Sequence, residues 1–258
     1  MAENPIKLFS TISERYPQPS DVDVAHVAAR GLVSLIPIVG GSIDELLSLV
    51  LAPSVSRRRD EWFKELADVV EEMDQRVANF RIEDLEKNEA FISATIQATR
   101  IAAGTHKAEK RKILRNALLN IALGTGPDDD TQQIFLNTVD AFTASHVRVL
   151  EVLWRGPGQM AEKRLWDQSN IPMNARNYGT AIELLVPELK SQNALVEYIL
   201  TDLRSRGFTQ LNSLSNNFPQ GGTITNVGIQ FMRFVLHPNE RKRGFLAVLY
   251  LGAKCEVE

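Results

Sequence analysis

The chain has 258 residues, of which 44% are hydrophobic and 24% are charged, and its formal net charge is −3. This is the composition of a folded globular protein, and it excludes wholesale disorder and a protein built of many membrane spans. The single cysteine, Cys255, excludes an internal disulfide framework and a cysteine-rich zinc site. Because the N-terminus also lacks the basic and apolar regions of a secretory signal, the sequence predicts a cytoplasmic protein.

An apolar stretch from Gly31 to Ala52 follows a proline-containing arm at residues 1–20, which we expect to be flexible. The stretch is interrupted by Pro37 and by two glycines, and Ser42 and Glu45 then have the spacing of a capping box at the start of a helix. Apolar residues recur at helical spacing on both sides of the interruption. The sequence therefore predicts a hairpin of two helices.

The rest of the first half has the periodicity of amphipathic helices. Pro53 predicts an end to the hairpin, and a longer helix then extends to about Val77 or Phe80. Further helices are predicted at 90–103 and 106–122, and another begins at 127–130, where a proline and three aspartates suit a helix start. We assign residues 21–142 to one helical domain.

The second half predicts a different arrangement. A helix begins at Thr143 and is expected to end at residues 156–158, and helices at 181–189 and 191–207 follow. Residues 208–214 and 223–225 alternate in part and predict a two-stranded hairpin before a last helix at 226–236. The predicted fold is mostly α: an N-terminal helical bundle and a winged helix-turn-helix-like domain with a small β-hairpin at 143–238. Residues 239–258 form a tail with a possible strand at 245–251.

Two runs in this second half, Leu203 to Phe208 and Ile224 to Phe234, resemble winged-helix modules. The helical first half, the segment from Phe135 to Leu150 and the winged-helix-like end together resemble poorly characterised bacterial proteins, some of which are abortive-infection-like. This resemblance carries no catalytic motif, and it implies a role in phage defence or in stress.

Charge is distributed unevenly and suggests two candidate basic surfaces. Residues 1–142 hold 16 Lys/Arg and 22 Asp/Glu, whereas residues 143–258 hold 13 and 10. If the second half binds DNA, the third helix of the winged unit and the tail would contact it. The candidate DNA-binding residues are Asn193, Thr201, Arg204, Arg206, Arg241, Lys242 and Arg243. A second basic patch, which could meet a nucleic acid, a nucleotide or the acidic helix of the same chain, comprises Lys107, Lys110, Arg111, Lys112 and Arg115.

Other kinds of site have little support in the sequence. The glycines at 124 and 126 lack the lysine of a phosphate-binding loop, the aspartates at 128–130 have no EF-hand spacing, and the four histidines are far apart. We therefore predict no catalytic residue, no metal and no cofactor. Each arm of the 31–52 hairpin has only about 10–15 residues, where a membrane span needs about 20.

These observations predict a non-enzymatic regulatory or phage-defence/stress-associated protein that binds a protein partner or a second copy of itself. The first alternative is a DNA-binding transcriptional regulator that uses the winged helix. The second alternative is a membrane-acting effector that uses the apolar hairpin at residues 31–52.

Overall fold

The computed structural model describes residues 41–78, 81–218 and 223–240, and these residues are mostly helical. The chain divides into two units, Met1–Glu61 and Trp62–Glu258. Within the described residues the helices are α1 (Gly41–Arg76), α2 (Ile82–Glu86), α3 (Glu89–Gly104), α4 (Ala108–Ala122), α5 (Asp129–Ala141), α6 (Ala144–Glu162), α7 (Leu165–Gln168), α8 (Tyr178–Leu185), α9 (Asn193–Ser205) and α10 (Asn226–Val235), with 3-10 turns at Met173–Ala175 and Pro187–Leu189.

Two predicted helix ends are wrong, and both lie at prolines. α1 continues through Pro53, and α6 continues through Pro157 to Glu162. A proline removes one backbone hydrogen bond from a helix, but the turns before and after it keep theirs. The neighbouring Gly156 serves packing rather than termination, because a Cβ there would lie 3.1 Å from the side chain of Val152 and 3.2 Å from that of Phe218.

Most of the described buried apolar residues of the unit Trp62–Glu258 form one hydrophobic core, and Val69, Met73 and Leu119 form a smaller second cluster. α6 packs against α8, α9 and α10, while α4 packs against α3, α5 and α10, so α10 contacts the central helix of each group. Aromatic rings of Phe135, Phe142, Phe208 and Phe231 meet where the two groups join, with centroids 4.9–6.3 Å apart. The core is continuous across residues 142–143, where the sequence predicts a domain boundary.

Two buried asparagines on α4 donate hydrogen bonds to the backbone carbonyls at the C-terminal end of α10. The Asn120 amide donates to the carbonyls of Phe234 at 2.7 Å and Leu236 at 2.9 Å, and it lies 3.3 Å from the carbonyl of Arg233. The Asn116 amide donates to the carbonyl of Val235 at 3.1 Å. The last carbonyls of a helix have no partner within it, so these side chains replace the water that a buried helix end lacks.

The predicted wing is not found, because the described residues contain no β-strand. Pairing between its two predicted arms is limited to a bridge between Thr209 and Ile224. Beyond that bridge the first arm pairs elsewhere: the carbonyl of Leu214 accepts from the Gly179 amide at 2.9 Å, and Asn217 forms a bridge with Asn177. The start of α8 thus takes the backbone groups that a hairpin would have used.

Four predicted helices follow the sequence pattern closely, whereas the helix predicted at 181–189 is found at Tyr178–Leu185. The periodic segments predicted at 90–103, 106–122, 191–207 and 226–236 correspond to α3, α4, α9 and α10. Asp128 accepts from the Thr131 amide at the start of α5, so the aspartates there do cap a helix. Four predicted features lie outside the described residues: the flexible arm predicted at 1–20, the predicted first helix of the 31–52 hairpin, part of the predicted wing loop and the possible strand at 245–251.

Candidate functional site

α9 carries the residues that the DNA-binding prediction names, and it presents two different sides. Its buried stripe comprises Val196, Ile199, Leu200 and Leu203. Opposite this stripe lies the surface that we call the α9 outer face: Ala194, Leu195, Tyr198, Thr201 and Ser205, with the partly exposed Asp202 one turn after Tyr198. Tyr198 is 67% exposed and Leu195 is 41% exposed. The α9 outer face therefore places an aromatic ring and an aliphatic side chain in solvent.

The predicted DNA-binding residues differ in what they contact. Asn193, Thr201 and Arg204 are exposed on α9. Arg206 is also exposed, but its Nε donates to Asp202 at 3.0 Å and its guanidinium lies 5.3 Å from the ring centre of Phe142. Arg241, Lys242 and Arg243 lie outside the described residues. The acidic Glu197 is exposed on the same helix as Arg204.

Behind α9, a buried histidine joins this helix to the start of α6. His146 is 6% exposed, and its ring stacks on Phe142 with centroids 4.7 Å apart. Its Nδ1 accepts from the Thr143 amide at 3.3 Å and lies 2.9 Å from the Thr143 hydroxyl. Its Nε2 lies 3.5 Å from a carboxylate oxygen of Asp202. His146 thus takes the place that a glutamate occupies in a capping box.

The surroundings of His146 favour its neutral form. Burial lowers the pKa of the imidazole below its ordinary 6.5, the Asp202 carboxylate opposes this effect, and the Arg206 charge adds to it. The net direction is downward. The ring is therefore neutral at pH 7, with Nδ1 available to accept a hydrogen bond and the proton on Nε2, facing Asp202.

Three residues of the second basic patch contact acidic or carbonyl groups of the same unit. Lys110 donates to the carbonyl of Asp140, and Lys112 lies 3.8 Å from the Glu240 carboxylate. Arg115 bonds to Glu72 at 3.0 Å and lies 4.0 Å from Asp68, both on the acidic helix α1. Arg111 is buried, and Lys107 is exposed at the start of α4.

Glu72 is the centre of a charged cluster, in which the contact with Arg115 is the pairing of the basic patch with the acidic helix that the sequence analysis gives as one alternative. Its carboxylate bonds to Arg76 at 2.6 Å, Arg115 at 3.0 Å and His237 at 2.7 Å. Burial raises the pKa of this carboxyl, but the hydrogen bond with Arg76 and the interactions with His237 outweigh that effect and lower the pKa overall. The cluster lines an open polar cleft of about 490 Å³ and ties the segment after α10 to α1.

Three further features bear on function. No group of three His, Cys, Asp or Glu side chains within residues 41–78, 81–218 and 223–240 is arranged to hold a metal ion. None of the helices in those ranges combines the length and the apolar character needed to cross a membrane. A cleft of about 350 Å³ lies beside Arg100, His106 and Lys110, and its lysine is already engaged by Asp140.

The sequence analysis missed the contacts of His146 with Thr143 and Asp202, and it missed the two buried asparagines on α4, for different reasons. Thr143 and His146 stand three residues apart, a spacing that resembles a capping box, but nothing local indicates that Asp202 lies beside them. Asn116 and Asn120 are four residues apart on the apolar face of α4, and a polar pair at that spacing is a signal for a buried hydrogen-bonding site. No protein-family model, curated protein or solved structure matches the chain.

Proposed function

We propose that the chain is a regulatory interaction protein that performs no chemistry and binds a protein partner through the α9 outer face. The exposure of Tyr198 together with Leu195 supports this proposal. Tyrosine is enriched at the centres of protein interfaces because it supplies a large contact area with only two rotatable bonds and a polar tip. The partner this surface fits has an apolar pocket with a hydrogen-bonding group at its base.

The charges around α9 favour a protein over DNA. Affinity for DNA comes mainly from Lys and Arg side chains that neutralise phosphates. The α9 outer face has no such side chain, Arg206 is engaged by Asp202, and Glu197 is exposed nearby. Arg204 is the feature that supports the alternative proposal, a DNA-binding regulator. For the setting of the activity we propose the cytoplasm of a bacterium and a role in phage defence or stress, which rests on the resemblance described above.

The proposal is tested by placing a photo-crosslinking amino acid at position 198 and, as a control, at position 134. Ile134 is 60% exposed on α5, so it reports on exposed aliphatic surface away from α9. We expect one protein to be captured from position 198 only. That protein is then purified, and its affinity is measured for the unmodified chain, for Tyr198→Ala and for Ile134→Ala. We expect the affinity to fall about tenfold or more for Tyr198→Ala, and to change less than about twofold for Ile134→Ala.

Each of the following results would contradict the proposal. Equal capture at positions 198 and 134, or unchanged affinity of Tyr198→Ala, would remove the α9 outer face as the binding site. Salt-dependent binding to duplex DNA that is lost in Arg204→Ala would establish the DNA-binding alternative instead. Leakage of vesicles with anionic lipid would favour the membrane alternative, and turnover abolished by a point substitution would refute the absence of chemistry.

A further inference from the structure

The two nitrogens of His146 face two helices, and the hydrogen bond to one of them forms only with the neutral ring. Nδ1 accepts from the Thr143 amide, which can only donate, so this nitrogen is unprotonated in that contact. Nε2 forms no hydrogen bond within the described part of the chain but lies 3.5 Å from one oxygen of Asp202, while the other oxygen of that carboxylate accepts from Arg206 at 3.0 Å. A second proton on the ring therefore removes the acceptor of the Thr143 amide and places a positive charge beside Asp202.

We propose that His146 is an acid-operated switch: its protonation removes the acceptor of the Thr143 amide at the start of α6 and places a second positive charge beside Arg206. The proton binds Nδ1 and faces the Thr143 hydroxyl, 2.9 Å away, so the Thr143 amide loses its acceptor. The ring becomes a cation 3.5 Å from one oxygen of Asp202, while Arg206 holds the other. His146 and Arg206 both lie against Phe142, so the new positive charge also repels the guanidinium.

The charges that act on the ring come from α9. Asp202 favours protonation and Arg206 opposes it, while burial opposes it most strongly. Phe142, stacked on the ring, contributes no charge. The switch therefore operates below the ordinary pKa of histidine, 6.5, rather than at neutral pH. Its outcome is an increase in positive charge at the C-terminal end of α9, where Arg204 and Arg206 stand two residues apart. This inference does not depend on the identity of any partner.

NMR spectroscopy of the full chain tests the switch directly. The titration follows the imidazole Hε1 of His146, the amide of Thr143 and the side-chain Nε of Arg206 as the pH is lowered from 7.5 to 4.5. We expect all three signals to shift with one midpoint below pH 6.5. In His146→Gln the amide oxygen accepts the Thr143 cap without titrating, so we expect the shifts of Thr143 and Arg206 in this range to be lost.

Matched variants separate the switch from general acid effects. His106 is an exposed histidine at another place in the fold, so His106→Gln should keep the coupled shifts. Asp202→Asn keeps His146 but removes the carboxylate that favours its protonation, so the midpoint should move to lower pH. Should His146→Gln fail to fold, Asp202→Asn decides the question. Different midpoints for His146 and Thr143, a Thr143 shift that persists in His146→Gln, or an unchanged midpoint in Asp202→Asn would overturn the inference.

Discussion

Replacing Asn120 by alanine tests whether side chains of α4 complete α10. The Asn120 side chain is fully buried, and its amide hydrogens serve the carbonyls of Phe234 and Leu236 at 2.7 and 2.9 Å. A buried polar group that loses its partner costs about 1–3 kcal/mol, and two carbonyls lose theirs here. We therefore expect Asn120→Ala to lower the free energy of unfolding by about 2–5 kcal/mol, a large part of the total stability of a domain.

Urea unfolding followed by circular dichroism measures this loss, with Asn193→Ala as the control. Asn193 is exposed on α9, so its replacement should change the free energy of unfolding by less than about 0.5 kcal/mol. Asn116→Ala should fall between the two, because Asn116 makes one such bond, to Val235 at 3.1 Å. If Asn120→Ala costs no more than Asn193→Ala, the amide does not complete α10 as we describe.

Asn120→Asp sharpens the test because it keeps the shape and removes the donors. A carboxylate would face carbonyl oxygens, whereas a protonated carboxyl could still donate once. Its pKa in the folded chain would therefore be raised above the value in the unfolded chain. The loss in free energy of unfolding caused by Asn120→Asp should then shrink as the pH falls and grow as the pH rises. A loss that is independent of pH would contradict the hydrogen bonds that we assign to Asn120.

Two further predictions concern close packing and charge. A Cβ at Gly228 would lie 2.3 Å from the carbonyl oxygen of Phe208, so Gly228→Ala should cost about 1–3 kcal/mol in urea unfolding. Gly104→Ala, where nothing lies within 4 Å, should cost far less, and equal losses would refute the argument. The lowered pKa of Glu72 means that its stabilisation is complete above pH 4.5 and is lost as the pH falls through its pKa in the folded chain. Glu72→Gln should therefore be about 1–3 kcal/mol less stable at pH 7, and the difference should shrink as the pH falls through the pKa of Glu72 in the folded chain.

Helical periodicity predicted most of the secondary structure and misplaced the ends that depend on proline and glycine. The apolar spacing of α3, α4, α9 and α10 indicates one buried face for each, and their bounds agree with the sequence to within a few residues. Gly156 and Pro157 indicate a helix end by their local preferences. They lie inside α6 instead, because Gly156 packs against Phe218, a residue 62 positions later.

The wing was predicted wrongly because alternation in a short segment does not specify a partner strand. Phe208, Leu211, Leu214 and Phe218 are all buried, and this pattern favours a loop that enters the core at successive positions. The backbone groups of Leu214 and Phe218 then pair with Gly179 and Arg176, around the start of α8 and far back in the sequence. Side-chain partnerships such as His146 with Asp202 have the same origin: local residue types permit them, and only the packing of distant helices brings them together.

The link between α4 and α10 also has a consequence during synthesis. The carbonyl that receives the Asn120 amide at 2.7 Å belongs to a residue 114 positions later. Until translation has reached that point, the amide is left without its acceptor and the surfaces of α4 and α6 that α10 covers stay uncovered. We therefore expect nascent chains shorter than about 236 residues to be substrates for chaperones and proteases. A premature stop before Leu236 should abolish folding of the unit and should not yield a folded, truncated protein.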